Sequence, residues 1–146
     1  MARTDRGLGL IDQYSRNNAF VELLGFVFEI HGEGVVSYSL QIEPKHLATP
    51  GFTHGGVLTT LLDATMGAGA LTLVADDGQV VSTIEMQVNF IQAAHLNEVI
   101  VCTSKAIRKG KKVIFMTAEI RNEQNQLIAV SNGSFYPFAA EKAVYH

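Results

Sequence analysis

The residues with the clearest potential for chemistry lie in one apolar segment, residues 52–75, which reads FTHGGVLTTLLDATMGAGALTLVA. Its single carboxylate, Asp63, lies among leucine, alanine and methionine, and burying a carboxylate in such surroundings is costly without a partner. A carboxyl group buried in this way has a raised pKa, which suits a general base that works near neutrality. We therefore interpret Asp63 as a catalytic carboxylate. The alternative is a polar residue on the exposed side of an amphipathic helix.

The His-Gly-Gly motif in front of Asp63 is the second candidate for chemistry. The first turn of a helix leaves backbone N–H groups unpaired at the positive end of the helix dipole. Gly55 and Gly56 carry no side chain that would keep a ligand away from these donors. The alternative is that the two glycines only form a tight junction between a loop and a helix. His54 has two interpretations: it hydrogen-bonds the substrate, or it only fixes the loop.

The elements that must position these residues follow from the hydrophobic periodicity. Residues 17–24 predict a short helix that ends at Gly25, and residues 26–30 and 35–42 predict two strands joined by a turn. Alternate residues of the second strand are apolar: Val36, Tyr38, Leu40 and Ile42. A long apolar helix is predicted from Gly55 to about Val74.

The second half of the chain alternates again. Residues 83–90 place one apolar and one polar set on opposite faces of a strand: Ile84, Met86, Val88 and Phe90 against Thr83, Glu85, Gln87 and Asn89. With three further strands and short turns, this predicts a four-stranded antiparallel meander. A sheet with one apolar face needs a covering layer, which the long helix supplies. The sequence thus predicts an α+β fold, with a second copy of the chain covering the apolar surface that one helix leaves exposed.

Composition narrows the function classes. A chain of 146 residues with 47 % hydrophobic residues fits a single domain, residues 1–146. A net charge of −3 with 11 basic residues argues against nucleic-acid binding. The single cysteine, Cys102, excludes an intrachain disulfide and is interpreted as a core residue, and the first residues contain no apolar core of signal-peptide length, so we expect a cytoplasmic protein.

Two further classes of function are not expected. Residues 55–74 are about long enough to span a membrane, but Asp63 and several threonines interrupt them, so a helix buried in the protein fits better. His46 and His95 have no metal-ligand companions at a recognisable spacing, so no metal site is predicted.

The segments HGGVLTTLLDATMGAGA and STIEMQVNFIQAA resemble the hotdog-fold acyl-CoA thioesterases, in particular the phenylacetate-degradation (PaaI-like) group. The resemblance covers about residues 20–138. Its most specific part is His-Gly-Gly with an acidic residue eight positions after the first glycine, here Gly55 and Asp63. The resemblance implies an antiparallel sheet wrapped around one long central helix, with a short N-terminal helix. It also implies hydrolysis of an acyl-CoA to the free acid and CoA, with no cofactor beyond the CoA of the substrate.

The resemblance also implies roles for single residues around the reacting carbonyl. Gly55 becomes the backbone donor to the oxyanion, with Gly56 beside it in contact with the substrate. Thr83 matches the Ser/Thr that positions the water or the carboxylate; the alternative is an ordinary exposed strand threonine. Many relatives carry an Asn where this chain has Ala48, so either Thr49 or Thr53 compensates, or the backbone donor acts alone.

The turn KAIRKGKK holds five of the 11 basic residues. As in similar proteins, it would bind the phosphates of CoA, with Arg108, Lys109 and Lys111 as the candidates. The alternative is an ordinary solvated turn.

Gly55 and Asp63 lie on one helix, eight residues apart, which is about 12 Å at 1.5 Å per residue. Because both must reach the same carbonyl, we expect a two-fold homodimer with antiparallel helices, or a dimer of such dimers, with Gly55 of one chain near Asp63 of the other. Two other functions remain open: a hotdog dehydratase or hydratase acting on acyl-CoA, and a non-catalytic acyl-CoA-binding protein. The acyl group is not specified, although a stripe of mostly small residues, Ala64, Gly67, Ala68 and Leu71, could line an acyl tunnel or allow close backbone approach.

Overall fold

The computed structural model describes residues 2–143. Two helices come first, α1 (Asp5–Asn17) and α2 (Ala19–Leu24), followed by the hairpin strands β1 (Val27–Gly32) and β2 (Val35–Gln41). Two short strands, β3 (Leu47–Thr49) and β4 (Phe52–Thr53), precede the central helix α3 (Gly55–Val74). Four long strands complete the fold: β5 (Gln79–Phe90), β6 (Val99–Lys109), β7 (Ile114–Asn122) and β8 (Leu127–Ala139).

The β1–β2 hairpin and the four long strands form one antiparallel sheet in the order β1-β2-β6-β7-β8-β5, and α3 packs against its inner face. Helix α3 is apolar nearly all round, so its buried side includes fully enclosed residues such as Leu61, Leu62 and Met66. The alternating residues of β2 point into the same core as predicted. The predicted α+β hotdog architecture, an antiparallel sheet around one long helix, is confirmed.

Helix α3 together with the turn that follows it, Gly55–Asp77, is long and apolar enough to cross a membrane. In this fold, however, 72 % of its apolar window is buried inside the protein. This is the environment expected of a core helix, which passes the same test of length and composition.

The predicted four-stranded meander is wrong in one respect. Strands β6, β7 and β8 do follow one another in the sheet, but β5 pairs with β8 at the edge instead of with β6. The segment 91–98 carries the chain from β5 to β6 past the start of α3, where the Thr53 N–H donates to the Ala94 carbonyl (2.9 Å) and the Leu96 N–H to that of Gly51 (3.1 Å). A connection that is itself bonded to another loop does not act as a hairpin turn.

The predicted faces of β5 are also partly wrong. The register with β8 shifts between Thr83 and Glu85, so Ile84 is the extra residue of a β-bulge and lies 56 % exposed. Because a bulge inverts the alternation beyond it, Thr83 lies on the same inner face as Met86 instead of opposite to it. Thr83 accordingly pairs with Phe135, which is completely buried.

Of the two N-terminal helices, the sequence predicted α2, which ends at Gly25 in the left-handed region (φ 83°). Helix α1 was not predicted. Its N-cap, Thr4, accepts from the Gly7 N–H (3.0 Å), and Arg16 pairs with Asp12 one turn earlier at 2.6 Å. It packs through Ile11 against a small apolar cluster at the end of α3, formed by Leu71, Ala75 and Val80.

Candidate active site

Asp63 and Thr83 meet at the middle of α3. The Thr83 hydroxyl donates a hydrogen bond of 2.8 Å to Asp63 Oδ1. The bulge at Ile84 makes this bond possible, because it turns Thr83 toward the helix. Asp63 is therefore half-buried with a partner, instead of buried and alone as the sequence suggested. A bonded carboxylate has one fixed oxygen, so its orientation toward a ligand is defined.

The N-terminus of α3 has one backbone donor left over. His54 is the N-cap, and its Nδ1 accepts from the Gly56 N–H at 2.7 Å. The Val57 N–H donates to the His54 carbonyl at 3.0 Å. Within residues 2–143 no acceptor is bonded to the Gly55 N–H, which leaves it available at the positive end of the helix dipole. The Gly56 N–H, by contrast, is occupied by His54.

The same cap assigns a tautomer to His54. Because Nδ1 accepts a hydrogen bond, a neutral ring carries its proton on Nε2. His54 is exposed, so this Nε2–H group faces away from the helix backbone it caps and can donate to a ligand. Both sequence interpretations of His54 are thus compatible with its position: it fixes the loop and retains a free donor.

His46 is a structural residue of the loop before the site. It is 1 % exposed, its Nδ1 accepts from the Glu43 N–H (2.9 Å), and its Nε2 donates to the Leu24 carbonyl (2.7 Å). Its own carbonyl accepts from the His54 N–H at 2.8 Å, which ties the helix start to the end of α2. His95 instead lies against the Phe52 ring, with 5.2 Å between the centroids. In the part of the chain that the structure describes, no cluster of three or more His, Cys, Asp or Glu side chains could hold a metal ion.

Ala48, where the resemblance implies Asn, is in the β3–β4 hairpin. Ala48 is exposed there, and Thr53 pairs with Leu47. Of the two threonines that could compensate, Thr53 has a buried hydroxyl oxygen without a hydrogen-bond partner among residues 2–143. A buried polar atom without a partner is uncommon and indicates a group that a ligand or water can satisfy.

The basic turn lies at the opposite end of α3 from Gly55. Arg108 and Lys111 are exposed. Lys109 instead donates from Nζ to the Leu73 carbonyl of α3 at 2.8 Å and lies 3.6 Å from Asp77 Oδ2. Lys109 therefore also stabilises the C-terminus of the central helix.

Cys102 is a core residue and not a nucleophile. It is completely buried, and burial raises the pKa of its thiol to about 12. A thiol with such a pKa is protonated at neutral pH and is a poor nucleophile.

A pocket of about 230 Å³ adjoins Asp63. Asp63, Thr83 and Gly67 form one side of it, and Tyr14 and Phe20 from the N-terminal helices form the other. Tyr14 was missed because no helix was predicted before residue 17, whereas Phe20 lies in the predicted helix of residues 17–24 but was given no role. The structure thus brings Asp63 and Thr83 together at a pocket, while Gly55 and the basic turn lie toward the two ends of α3.

Comparison with known proteins places the chain in a family. A family model described as the thioesterase superfamily matches residues 50–129. A putative esterase of Archaeoglobus fulgidus is 27 % identical over 126 residues, which cover 86 % of this chain and 79 % of that protein. Human acyl-coenzyme A thioesterase 13 is 29 % identical over 90 residues, which cover 62 % of this chain and 63 % of that protein.

A solved structure shows the same fold. The PaaI protein from the phenylacetic acid degradation operon of E. coli has a TM-score of 0.85 at 17 % identity, covering 94 % of this chain and 97 % of that one. The resemblance seen in the His-Gly-Gly and Asp63 segments is therefore confirmed: the chain belongs to the thioesterase superfamily.

Proposed function

We propose that this protein is an acyl-CoA thioesterase that hydrolyses a CoA thioester to the free acid and CoA. The observation that carries the proposal is the Asp63 carboxylate, fixed by the Thr83 hydroxyl at the edge of a pocket. The similarity to a protein named acyl-coenzyme A thioesterase supports CoA as the leaving group. The reaction needs no cofactor beyond the CoA of the substrate, and we expect it to take place in the cytoplasm.

Asp63 has two possible roles in this reaction. As a general base it takes a proton from water, whose oxygen attacks the thioester carbon; the tetrahedral intermediate then collapses, the C–S bond breaks and the thiolate leaves. As a nucleophile it attacks the carbonyl carbon itself, the C–S bond breaks and the CoA thiolate leaves, and water hydrolyses the resulting anhydride in a second step. In either case the Gly55 N–H stabilises the oxygen that becomes negative, and Thr83 holds the carboxylate in position.

The site is shared between two chains in this proposal. Asp63 and Gly55 are about 12 Å apart along one helix, too far for both to reach one carbonyl. Strand β5 is the last strand of the sheet, so one of its edges is unpaired within residues 2–143. An unpaired edge is a template for pairing with a second chain.

The positions of two β5 residues support this pairing. Thr83 lies at Asp63, and a Cβ atom at Gly55 would lie 3.4 Å from the Phe90 ring. If β5 pairs antiparallel with its copy about a two-fold axis between Met86 and Gln87, Thr83 faces Phe90 of the partner subunit. Asp63 then approaches Gly55 of the partner subunit, and each dimer has two sites.

A dimer of dimers is the larger assembly in this proposal. Ile107 (62 % exposed) and Phe115 (44 % exposed) are apolar side chains outside the core that line one surface patch together. A second dimer that packs against this patch would bury it.

The activity is tested by mixing the protein with acyl-CoA and measuring the release of free thiol. Thiol release with a matching amount of free acid is the expected result. Consumption or formation of a 2,3-double bond without thiol release would instead indicate a dehydratase or hydratase. Binding of acyl-CoA with no change in either partner would indicate a non-catalytic binding protein.

The shared site is tested by co-expressing Gly55→Pro with Asp63→Asn. Proline at Gly55 removes the N–H, is tolerated at the first helical position, and suits the extended conformation of His54 (ψ 132°) before it. Each homodimer should be nearly inactive. With random pairing about half of the dimers are mixed, and each mixed dimer has one intact site and one with both changes. About 25 % of all sites are then intact. Co-expressed protein that contains mixed dimers, yet is as inactive as either parent, would contradict a shared site.

A further inference from the structure

The pocket beside Asp63 is the right size for one part of an acyl-CoA. Its volume is about 230 Å³. A water molecule occupies about 30 Å³ of liquid, so the pocket holds on the order of eight non-hydrogen atoms. Sites that enclose a whole drug-sized molecule are about 300–1,000 Å³. The CoA part is larger than such a molecule and does not fit, whereas a small acyl group does.

At Gly67, helix α3 lines this pocket without a side chain. Gly67 follows Asp63 by four residues and so lies on the same face of the helix. A Cβ atom at Gly67 would lie 3.7 Å from the Phe135 ring and 4.0 Å from the Tyr14 hydroxyl. These are ordinary contact distances, so a methyl group fits here, but a larger side chain would have to extend into the space between Tyr14 and the helix.

Helix α1 forms the far wall, and its position is fixed. Arg3 Nη1 donates to the Thr72 carbonyl at 2.9 Å, and both the N–H and the hydroxyl of Thr4 donate to Asp76 Oδ1 at 2.9 and 2.8 Å. These bonds attach the start of α1 to the end of α3, and the Ile11 cluster holds its middle. Tyr14, one turn later, is thereby held with its hydroxyl close to Gly67, where the two residues form the end of the pocket.

We propose that this pocket binds the acyl group and that Tyr14 and Gly67 together limit its size. The substrate is then an acyl-CoA whose acyl group has about eight non-hydrogen atoms or fewer beyond the carbonyl, and long-chain acyl groups are excluded by the Tyr14 ring. Phe20 of α2 also lines the pocket and is 57 % exposed. This inference rests on the proposed thioesterase function, because it assigns the acyl end of that substrate.

The test compares acyl-CoAs of different acyl length in variants of Tyr14 and Gly67. Tyr14→Ala removes the ring and opens the pocket, and Gly67→Val fills it. Leu8→Ala is the matched control, since Leu8 lies on the same helix, is 50 % exposed and does not line the pocket. Saturated acyl-CoAs from two to sixteen carbons are compared by kcat/KM for thiol release.

We expect wild type and Leu8→Ala to lose activity beyond about eight carbons. In Tyr14→Ala, kcat/KM for twelve carbons relative to six should rise about tenfold or more. In Gly67→Val the ratio of eight carbons to four should fall by about the same factor, since even one methylene group in a hydrophobic pocket changes kcat/KM by about tenfold or more. Gly67→Ala, which fits without displacement and favours the helix, should show the same fall more weakly and serves where Gly67→Val does not fold. A length profile that is the same in all folded variants would overturn the proposal, as would a wild-type preference for sixteen carbons.

A second measurement separates this proposal from the function it rests on. Kd is measured for non-hydrolysable acyl-CoA analogues in which a methylene group replaces the thioester sulfur, so that a ketone stands in place of the thioester. If wild type releases no thiol from any acyl-CoA, the hydrolase proposal fails. The pocket assignment still stands in that case if Tyr14→Ala tightens binding of long analogues relative to short ones, and it fails if Kd changes equally for all lengths.

Discussion

The two ends of the central helix α3 differ in how their backbone groups are hydrogen-bonded. At the C-terminal end the last carbonyls are occupied by side chains from other elements: Arg3 donates to Thr72 and Lys109 to Leu73. At the N-terminal end, within residues 2–143, the Gly55 N–H has no acceptor. The neighbouring N–H groups of Gly56 and Val57 are satisfied by His54, so the Gly55 N–H is the donor of this first turn from which a ligand can accept.

The difference indicates that the two halves of α3 have different roles. The C-terminal half attaches α1 and the basic turn to the core, whereas the N-terminal half provides the open donor and Asp63. Changes in the N-terminal half should therefore affect turnover with little loss of stability, and changes at the C-terminal end should do the reverse. The following variants test this separation.

The largest effect is expected for Asp63→Asn. The volume is kept and the amide oxygen can still accept from Thr83, so the fold and substrate binding should remain. Loss of the base or nucleophile should lower kcat by about 10²–10⁴-fold. Asp77→Asn is the matched control at the other end of the helix, with the same change of charge and no expected loss of kcat. Thiol release by Asp63→Asn within threefold of wild type would show that Asp63 is not the catalytic carboxylate.

A smaller loss is expected for Thr83→Val, which keeps the shape and removes the hydroxyl. A hydrogen bond to a charged group contributes about 1.5 kcal/mol or more, so kcat should fall roughly tenfold with KM little changed. Thr83→Ser retains the donor and should recover most of the activity. An ordinary strand threonine would show no difference between valine and serine, and that result would remove Thr83 from the site.

Thr83 also shows where sequence reasoning reached its limit. Asp63 was recognised because one carboxylate in an apolar helix is conspicuous, and the inside and outside of β2 followed from plain alternation. Thr83 was assigned to the wrong face because the bulge at Ile84 adds one residue to β5, and alternation carries no signal for an insertion of this kind. The position of β5 at the sheet edge was equally hidden, since it depends on contacts of the segment 91–98 with a distant loop.

Helix α1 was missed for a different reason. Its sequence, DRGLGLIDQYSRN, contains two glycines and few apolar residues, so its own helix propensity is low. Its inward residues Gly7, Ile11 and Tyr14 do recur at helical spacing, and this amphipathic pattern is the signal that could have indicated the helix. Tertiary contacts at Thr4 and Ile11 hold it against the rest of the fold. Tyr14, and with it the wall of the pocket, could not be predicted without that helix.

Variants of the basic turn distinguish residues that bind the substrate from residues that stabilise α3. Arg108→Gln combined with Lys111→Gln should raise KM for acyl-CoA about three- to tenfold at low salt and leave kcat unchanged, because a remote phosphate contact contributes equally to ground and transition states. The effect should diminish at high salt. Lys109→Gln should instead lower stability, since a cation at a helix C-terminus contributes about 0.3–1 kcal/mol. If the double variant keeps its KM at low ionic strength, the turn is only solvated surface.

The smallest effect concerns the attachment of α1 at Asp76. The Thr4 hydroxyl and then the Thr4 N–H lower the pKa of Asp76 below its ordinary value of 3.8. A carboxylate with a lowered pKa stabilises the folded state at pH values above that ordinary value, and the contribution is lost as the pH falls through the lowered one. The Tm difference between wild type and Asp76→Asn should thus be constant from pH 7 to about pH 5 and should shrink below about pH 4. Titration of the other carboxyl groups cancels in this difference, and Asp77→Asn, whose carboxylate lies near Lys109 and not α1, controls for the loss of a charge in the same turn.

Hydrogen exchange of the α1 amides at pH 6 should be faster in Asp76→Asn than in Asp77→Asn, because the variant weakens the bonds that hold the start of α1. Equal exchange in the two variants, with a Tm difference that does not change with pH, would show that the Arg3 bond and the Ile11 cluster hold α1 without the bonds from Thr4 to Asp76.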